Sequence, residues 1–133
     1  MKLFLAQLNN IVGDIEGNLN KAIDVLQDAK KLDSDLVIFS ELFLSGYPPE
    51  DLVLKKSFVS ACKNALDSLI TYSEEKELGV IIGLPIYEKN KLFNAAAVID
   101  KGQLIGFSKK VNLPNYSRSE EHTSELQSPM YLV

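Results

Sequence analysis

The stretch that decides the fold is Leu36-Val37-Ile38-Phe39-Ser40-Glu41-Leu42-Phe43-Leu44-Ser45-Gly46-Tyr47-Pro48-Pro49-Glu50-Asp51-Leu52. Its first four residues form an apolar run, which indicates a buried strand. Glu41 follows that strand, and Gly46 and the Pro48-Pro49 pair then force an irregular backbone. Open α/β sheets place their ligand-contacting groups at strand ends, so Glu41 is a candidate general base.

The residues on either side predict strands that alternate with helices. Residues 2–8 are nearly all apolar, which favours a strand covered on both faces. A first helix is predicted to begin near Asn18, which we interpret as its N-cap. A second helix is expected over about residues 57–73, before a strand at residues 79–84. This β-α-β order favours parallel pairing of the strands.

The C-terminal part of the sequence changes from helix-connected strands to a meander. Strands are predicted at residues 93–99 and 103–108, and the Lys101-Gly102 turn between them favours an antiparallel hairpin. Lys110 comes at the end of the second strand. If the strands that carry Glu41 and Lys110 are neighbours, the lysine can stabilise the carboxylate or an oxyanion formed in acyl transfer.

Composition excludes several classes of protein. The chain has 133 residues, 46% of them hydrophobic, which suffices for one domain with a real core. Its net charge of −4 gives no electrostatic basis for binding nucleic acid or an anionic membrane. No apolar run approaches the roughly 18 residues that span a bilayer. A single cysteine excludes an internal disulfide, so we expect a cytoplasmic α/β protein.

The scarcity of histidine restricts the chemistry further. The only histidine is His122, so residues 1–117 cannot supply a Ser-His-Asp triad or a His-ligated metal site. The sequence also contains no phosphate-binding loop of the G-x-x-x-x-G-K-[ST] type. Acid–base chemistry in this body must therefore use carboxylates, lysine or tyrosine.

Two segments together resemble the nitrilase, or carbon–nitrogen hydrolase, superfamily. They are Glu41-Leu42 through Gly46-Tyr47-Pro48-Pro49-Glu50-Asp51-Leu52, and Lys110 with Leu113-Pro114-Asn115-Tyr116. The Tyr-Pro-Pro-Glu-Asp-Leu string is typical of one branch, the N-terminal glutaminase domain of glutamine-dependent NAD synthetases. The resemblance covers residues 1–116. It implies a nitrilase-like α-β-β-α sandwich, of which this chain holds the N-terminal portion.

The resemblance also implies a Glu-Lys-Cys triad. Glu41 matches its general base, and Lys110 matches the residue that stabilises the tetrahedral intermediate. Tyr116 matches a tyrosine that lines the glutamine pocket, and Tyr47 lies where the family loop shapes the same pocket. The family nucleophile is a cysteine downstream of the lysine, and none is present there. Cys62 is the only thiol, and its place on the apolar stripe of the second helix predicts a buried core residue.

By resemblance, the parent protein hydrolyses glutamine and passes ammonia to a C-terminal synthetase domain. That domain would use ATP and magnesium to amidate nicotinic acid adenine dinucleotide to NAD, and the full-length protein is expected to form a homo-oligomer. We expect the 133-residue chain itself to be inactive. Two alternatives remain open: a stand-alone nitrilase-family amidase, and a non-catalytic domain that binds or oligomerises.

The composition changes abruptly after residue 117. The tail from Arg118 is polar and shows no helix or strand pattern. It resembles a translated short-read sequencing adapter. We therefore predict a truncated hydrolase domain over residues 1–117 and a non-native tail over residues 118–133.

Overall fold

A computed structural model describes residues 1–47 and 49–112 of the chain. The predictions for Tyr116 and for the tail at 118–133 lie outside the described residues. The helices are α1 (Ile15–Lys31) and α2 (Lys56–Lys76), and a 3₁₀ helix spans Glu50–Leu54. The strands are β1 (Leu3–Leu5), β2 (Leu36–Ile38), β3 (Gly79–Glu88), β4 (Lys91–Asp100) and β5 (Gln103–Asn112).

The five strands form one mixed sheet in the order β1-β2-β3-β4-β5. β2 pairs in parallel with both β1 and β3, which confirms the pairing predicted from the β-α-β order. β3, β4 and β5 form an antiparallel meander, and Asp100 pairs with Gln103 across the predicted turn at Lys101-Gly102. The sheet thus has the two regions that the sequence indicated.

The main hydrophobic core lies between the two helices and one face of this sheet. Both helices and the middle strands contribute fully buried side chains to it, among them Leu26, Leu66, Val80, Ile82 and Ile99. None of the helices in the described ranges combines the length and apolarity needed to cross a membrane.

The prediction that β1 is covered on both faces is wrong. Phe4 packs against the core, but Leu3 and Leu5 are 51% and 63% exposed. β1 is an edge strand, and successive side chains of a strand point to opposite faces. The helices cover one face only, so the alternate side chains of β1 stay exposed.

The prediction of Asn18 as a helix N-cap is also wrong. Helix α1 begins one turn earlier, where the side chain of Asp14 accepts a hydrogen bond from the Gly17 amide. Asn18 lies inside the helix and is fully buried. Its amide nitrogen donates to the carbonyls of Ile11 and Leu44, at 3.0 and 3.1 Å. Asn18 therefore joins the loop before α1 to the loop that carries Glu41.

Candidate active site

Glu41 reaches the middle of the sheet because the chain crosses over β3 after leaving β2. Residues 41–45 form a turn, and the Leu44 amide donates to the Gly83 carbonyl at 3.1 Å. A Cβ atom at Gly83 would lie 2.4 Å from the backbone nitrogen of Leu42. A glycine inside a strand often marks such a close approach of another backbone. The missing side chain at Gly83 thus lets the turn rest directly on the sheet.

Three side chains meet at this point. Lys110 Nζ lies 3.2 Å from Glu41 Oε1 and 3.3 Å from Oε2. The side-chain nitrogen of Asn94, on β4, donates to Glu41 Oε2 at 2.5 Å. The Lys110 side chain is 14% exposed and that of Glu41 is 46% exposed, so the lysine is enclosed while the carboxylate opens to solvent. The structure therefore brings together the two residues that the sequence proposed as the base and its cationic partner.

The route by which they meet differs from the sequence prediction. The strands that carry them are not neighbours, because β3 and β4 lie between β2 and β5. The turn over Gly83 covers that distance. Lys110 also lies inside β5 and not at its end, opposite a register shift between Phe93 and Ala95 of β4. Bulges of this kind often occur beside active sites, where they re-aim a side chain.

The adjacent Lys109 belongs to a different ion pair. It bonds to Glu88, and its ammonium lies 5.5 Å from the centre of the Phe93 ring. The hydrogen bond from Lys109 lowers the pKa of Glu88 below its usual value, with the lysine's charge contributing. Because Lys109 and Lys110 are consecutive in a strand, they point to opposite faces of the sheet. Lys110 alone of this pair faces Glu41.

A pocket of about 220 Å³ opens beside the Glu41–Lys110 pair. It lies on the sheet face opposite the helices, and its walls combine apolar side chains with Glu41, Lys110 and Asn94. The full lining is Phe39, Ser40, Glu41, Ile81, Gly83, Asn94, Ala95, Ala96, Ser108 and Lys110. This volume is below the roughly 300–1,000 Å³ typical of drug-sized ligand sites, so it suits a small substrate.

A second pocket of about 170 Å³ lies on the other side of Glu41 and contains Tyr47. Tyr47 is half exposed, and it follows Gly46, whose φ of 83° gives the irregular backbone predicted there. Asn9 and Asn10 also line this pocket. The buried Oδ1 atom of Asn10 accepts no hydrogen bond from the described residues. Tyr47 is thus next to Glu41, while the placement of Tyr116 stays a prediction.

Cys62 lies away from both pockets, in the core that α2 forms with the sheet. It is fully buried, and this burial raises the pKa of its thiol to about 12. A thiol with that pKa stays protonated at neutral pH and is a poor nucleophile. The structure thus places Cys62 in the core, as its position on the apolar stripe predicted.

The sequence interpretation missed Asn94 and Gly83 as site residues. Both carry a signal that sequence alone could have supplied. Asn94 is the one polar side chain in the run Phe93-Asn94-Ala95-Ala96-Ala97, and a buried polar residue in a strand needs a partner. Gly83 interrupts a β-branched and apolar strand. Neither signal identifies the partner of the residue. The structure shows that the turn after β2 crosses the sheet, so that Glu41 contacts Asn94 and the turn backbone contacts Gly83.

Comparison with known proteins gives consistent matches. The profile of the family described as carbon-nitrogen hydrolase matches residues 3–131. This match runs past residue 117, and the domain boundary predicted there stays a prediction. A glutamine-dependent NAD(+) synthetase from Aquifex aeolicus is 45% identical over 122 residues, which are 92% of this chain and 21% of that protein. Its counterpart from Thermotoga maritima is 42% identical over 121 residues, again 21% of its length.

A solved structure supports the same match. The glutamine-dependent NAD+ synthetase from Acinetobacter baumannii, in complex with adenosine diphosphate, superimposes with a TM-score of 0.76 at 38% identity. The superposition covers 86% of this chain and 21% of that one. The chain therefore spans about a fifth of the length of the relatives it matches.

Proposed function

The chain belongs to the carbon–nitrogen hydrolase family, and on that premise we propose that the protein it comes from hydrolyses the side-chain amide of glutamine. The observation that carries the proposal is the contact of Glu41 with Lys110 at the edge of a small pocket. The names of the relatives, which are glutamine-dependent synthetases, supply the substrate.

Glu41 acts as the general base in this proposal. It takes the proton from a cysteine thiol as the sulfur attacks the amide carbon of glutamine. It then returns that proton to the nitrogen as the C–N bond breaks and ammonia leaves. Water, with Glu41 again accepting a proton, hydrolyses the thioester to glutamate and restores the thiol. A carboxylate that opens to the pocket is suited to such transfers.

Lys110 stabilises the oxyanion of the two tetrahedral intermediates. Its side chain is largely enclosed, and its ammonium is already fixed by both oxygens of Glu41. A positive donor that is held in place before the reaction needs no reorganisation when charge develops on the substrate oxygen. Tyr47, beside the second pocket, contacts the part of glutamine that does not react, and Tyr116 is proposed to do the same.

The 133-residue chain does not itself turn over glutamine in this proposal. The attacking thiol must face the pocket, whereas Cys62 is buried on the opposite side of the sheet with a pKa of about 12. The family nucleophile follows the lysine in sequence, and no cysteine follows Lys110 here. The chain supplies the base and the oxyanion donor but not the nucleophile.

The wider activity follows from the names of the relatives. We propose that the ammonia passes to a synthetase domain, which uses ATP and magnesium to amidate nicotinic acid adenine dinucleotide to NAD. This chain has no phosphate loop for ATP, so those groups belong to the synthetase domain. We further propose that the full-length protein is a cytoplasmic homo-oligomer.

The test is ammonia release from glutamine by the full-length protein and its variants. Glu41→Gln should lower kcat by about 10²–10⁴-fold, the usual contribution of a general base. Lys110→Met should lower it by about 10²–10³-fold, as for an oxyanion donor. The ion pair of the next lysine provides matched controls, because Glu88→Gln and Lys109→Met remove the same groups on the other face. Both controls should retain activity.

Three results would contradict the proposal. Unchanged kcat in Glu41→Gln would remove Glu41 as the base. A full-length protein that hydrolyses small amides but not glutamine would favour the stand-alone amidase. Ammonia release by the 133-residue chain, abolished by Cys62→Ala, would show that Cys62 is a nucleophile after all.

A further inference from the structure

Besides Lys110, the side chain of Asn94 also binds the carboxylate of Glu41. The mechanism proposed above gives Asn94 no role. We propose that Asn94 is the positioning residue of the general base: its amide fixes Oε2 of Glu41 and so presents Oε1 for proton transfer. This inference rests on the proposed function. The 2.5 Å contact between Asn94 and Oε2 is shorter than both contacts of Lys110 with the carboxylate.

Asn94 lies on a rigid strand, whereas the backbone of the turn does not by itself fix the side chain of Glu41. Asn94 lies in the middle of β4, pairs with Pro85 of β3, and is 5% exposed. Glu41 begins a turn, and its side chain is nearly half exposed. The next residue, Leu42, has a φ of 53°, a backbone angle that residues other than glycine rarely adopt. An exposed carboxylate on such a turn has several rotamers, and a buried donor on a strand selects one of them.

The two oxygens of Glu41 have different surroundings. Lys110 contacts both, so it does not distinguish them. Asn94 donates to Oε2 only, which leaves Oε1 to Lys110 among the described residues. A carboxylate oxygen that already accepts a short hydrogen bond is the poorer proton acceptor of the two. The amide therefore selects the oxygen that receives the thiol proton.

The side-chain amide of Asn94 stays neutral at every pH. A lysine or arginine at this position would compete with Lys110 for the carboxylate and add a second positive charge. An amide instead directs one N–H to the carboxylate and is itself neutral. The charged side chains that face it are Glu41, from the turn, and Lys110, from β5. Lys109 faces away, toward Glu88 and Phe93.

The test compares Asn94→Ala, Asn94→Asp and the control Ser73→Ala in the full-length protein. Ser73 is likewise a buried polar residue, but its hydroxyl bonds to the backbone of Ile70 and Gly102, away from the turn that carries Glu41. Asn94→Ala should lower kcat for glutamine by about 10- to 100-fold, as expected for loss of a group that orients another, with KM nearly unchanged. Ser73→Ala should lower the melting temperature but leave kcat within about 3-fold.

Asn94→Asp separates positioning from packing, because it keeps the shape and removes the donor. The introduced carboxyl faces the Glu41 carboxylate, and two such groups in contact hold one proton more tightly than either would alone. At lower pH the introduced carboxyl is protonated and can donate again. The kcat of Asn94→Asp relative to Asn94→Ala should therefore rise as the pH falls.

Two results would overturn the inference in a protein that hydrolyses glutamine and needs Glu41. One is unchanged kcat in Asn94→Ala. The other is a parallel loss of kcat and melting temperature in Asn94→Ala and Ser73→Ala, without the pH dependence in Asn94→Asp. If the wild-type protein hydrolyses no glutamine, the proposed function fails, and a double-mutant cycle of Glu41→Ala with Asn94→Ala still tests the contact. Coupled shifts of the melting temperature support it, and additive shifts overturn it.

Discussion

Replacing Gly83 by alanine should displace Glu41, the proposed base, without changing the glutamate itself. The Cβ atom introduced would lie 2.4 Å from the backbone nitrogen of Leu42, 2.8 Å from the carbonyl oxygen of Ser40 and 3.0 Å from the carbonyl carbon of Glu41. Ordinary contacts of a carbon atom are about 3.5–4.0 Å, so the turn must withdraw from the sheet by about 1 Å. All three neighbours are backbone atoms, and none can move aside by changing a rotamer.

The withdrawal has two measurable effects. Overpacking of this kind costs about 1–3 kcal/mol in the free energy of unfolding. A shift of about 1 Å would also stretch the bond between Asn94 and Glu41 to about 3.5 Å, at the limit of a hydrogen bond. Misplacement of a catalytic group by that distance can lower kcat by about 10²-fold. We therefore expect Gly83→Ala to lower both stability and kcat.

The assay is glutamine hydrolysis by the full-length protein, together with urea unfolding of the same samples. Gly106→Ala is the matched control, because Gly106 lies in the same sheet and its Cβ atom would meet nothing within 4 Å. Gly106→Ala should leave kcat unchanged. If Gly83→Ala retains wild-type kcat and stability, the turn does not rest on the sheet at Gly83, and this contact does not place Glu41.

Two further predictions concern the buried residues Asn18 and Cys62. Asn18→Ala leaves the carbonyls of Ile11 and Leu44 without their buried donor, and should lower the free energy of unfolding by about 2–3 kcal/mol. Urea unfolding checks this, and a loss no larger than that of the exposed control Asn64→Ala would contradict it. The Cys62 thiol should resist a thiol reagent in the folded protein and react on unfolding, and fast labelling of the native state would show that it is accessible. Folding raises the pKa of the Cys62 thiol from 9.0 to about 12. As the pH rises above 9, the thiol therefore ionises in the unfolded protein before it ionises in the folded protein. Stability contributed by the protonated thiol is complete below pH 9 and is lost toward pH 12, a loss that Cys62→Val should lack in pH-dependent urea unfolding.

The pattern of the sequence predicted the helices, the sheet class and the turn at Lys101-Gly102, because these depend on local periodicity and turn chemistry. It failed at Asn18, where the side chain of a typical helix-capping residue instead bonds to two loops that are distant in sequence. Local propensity cannot indicate such a contact. The exposure of Leu3 and Leu5 was missed for a related reason, since an apolar strand does not reveal whether one or both of its faces are covered.

The site was predicted in part. Glu41 and Lys110 were proposed from their positions at predicted strand ends and from the resemblance to a family, and the structure brings them together. The condition stated for their meeting, that their strands are neighbours, is not met, and sequence order does not show that a turn can cross a sheet over a glycine. Asn94 was missed because its significance depends on that crossing. What stays beyond sequence reasoning is the pairing of groups from elements that are far apart along the chain.

The direction in which Lys110 points depends on an irregularity in the pairing of β5 with β4. A register shift falls between Val98 and Ile99 of β4, where Gly106 and Leu104 are the partners and Ile105 is passed over. That extra residue sets which of the two consecutive lysines points toward Glu41. If β5 paired with β4 regularly, Ile105 would lie opposite Val98 and every later side chain of the strand would exchange faces, so that Lys109 would point toward Glu41 in place of Lys110. Deleting Ile105 itself would only remove the bulge, because Gly106 would stay opposite Val98 and Lys110 would keep its face. A hairpin shorter by this one residue would thus preserve the ion pair.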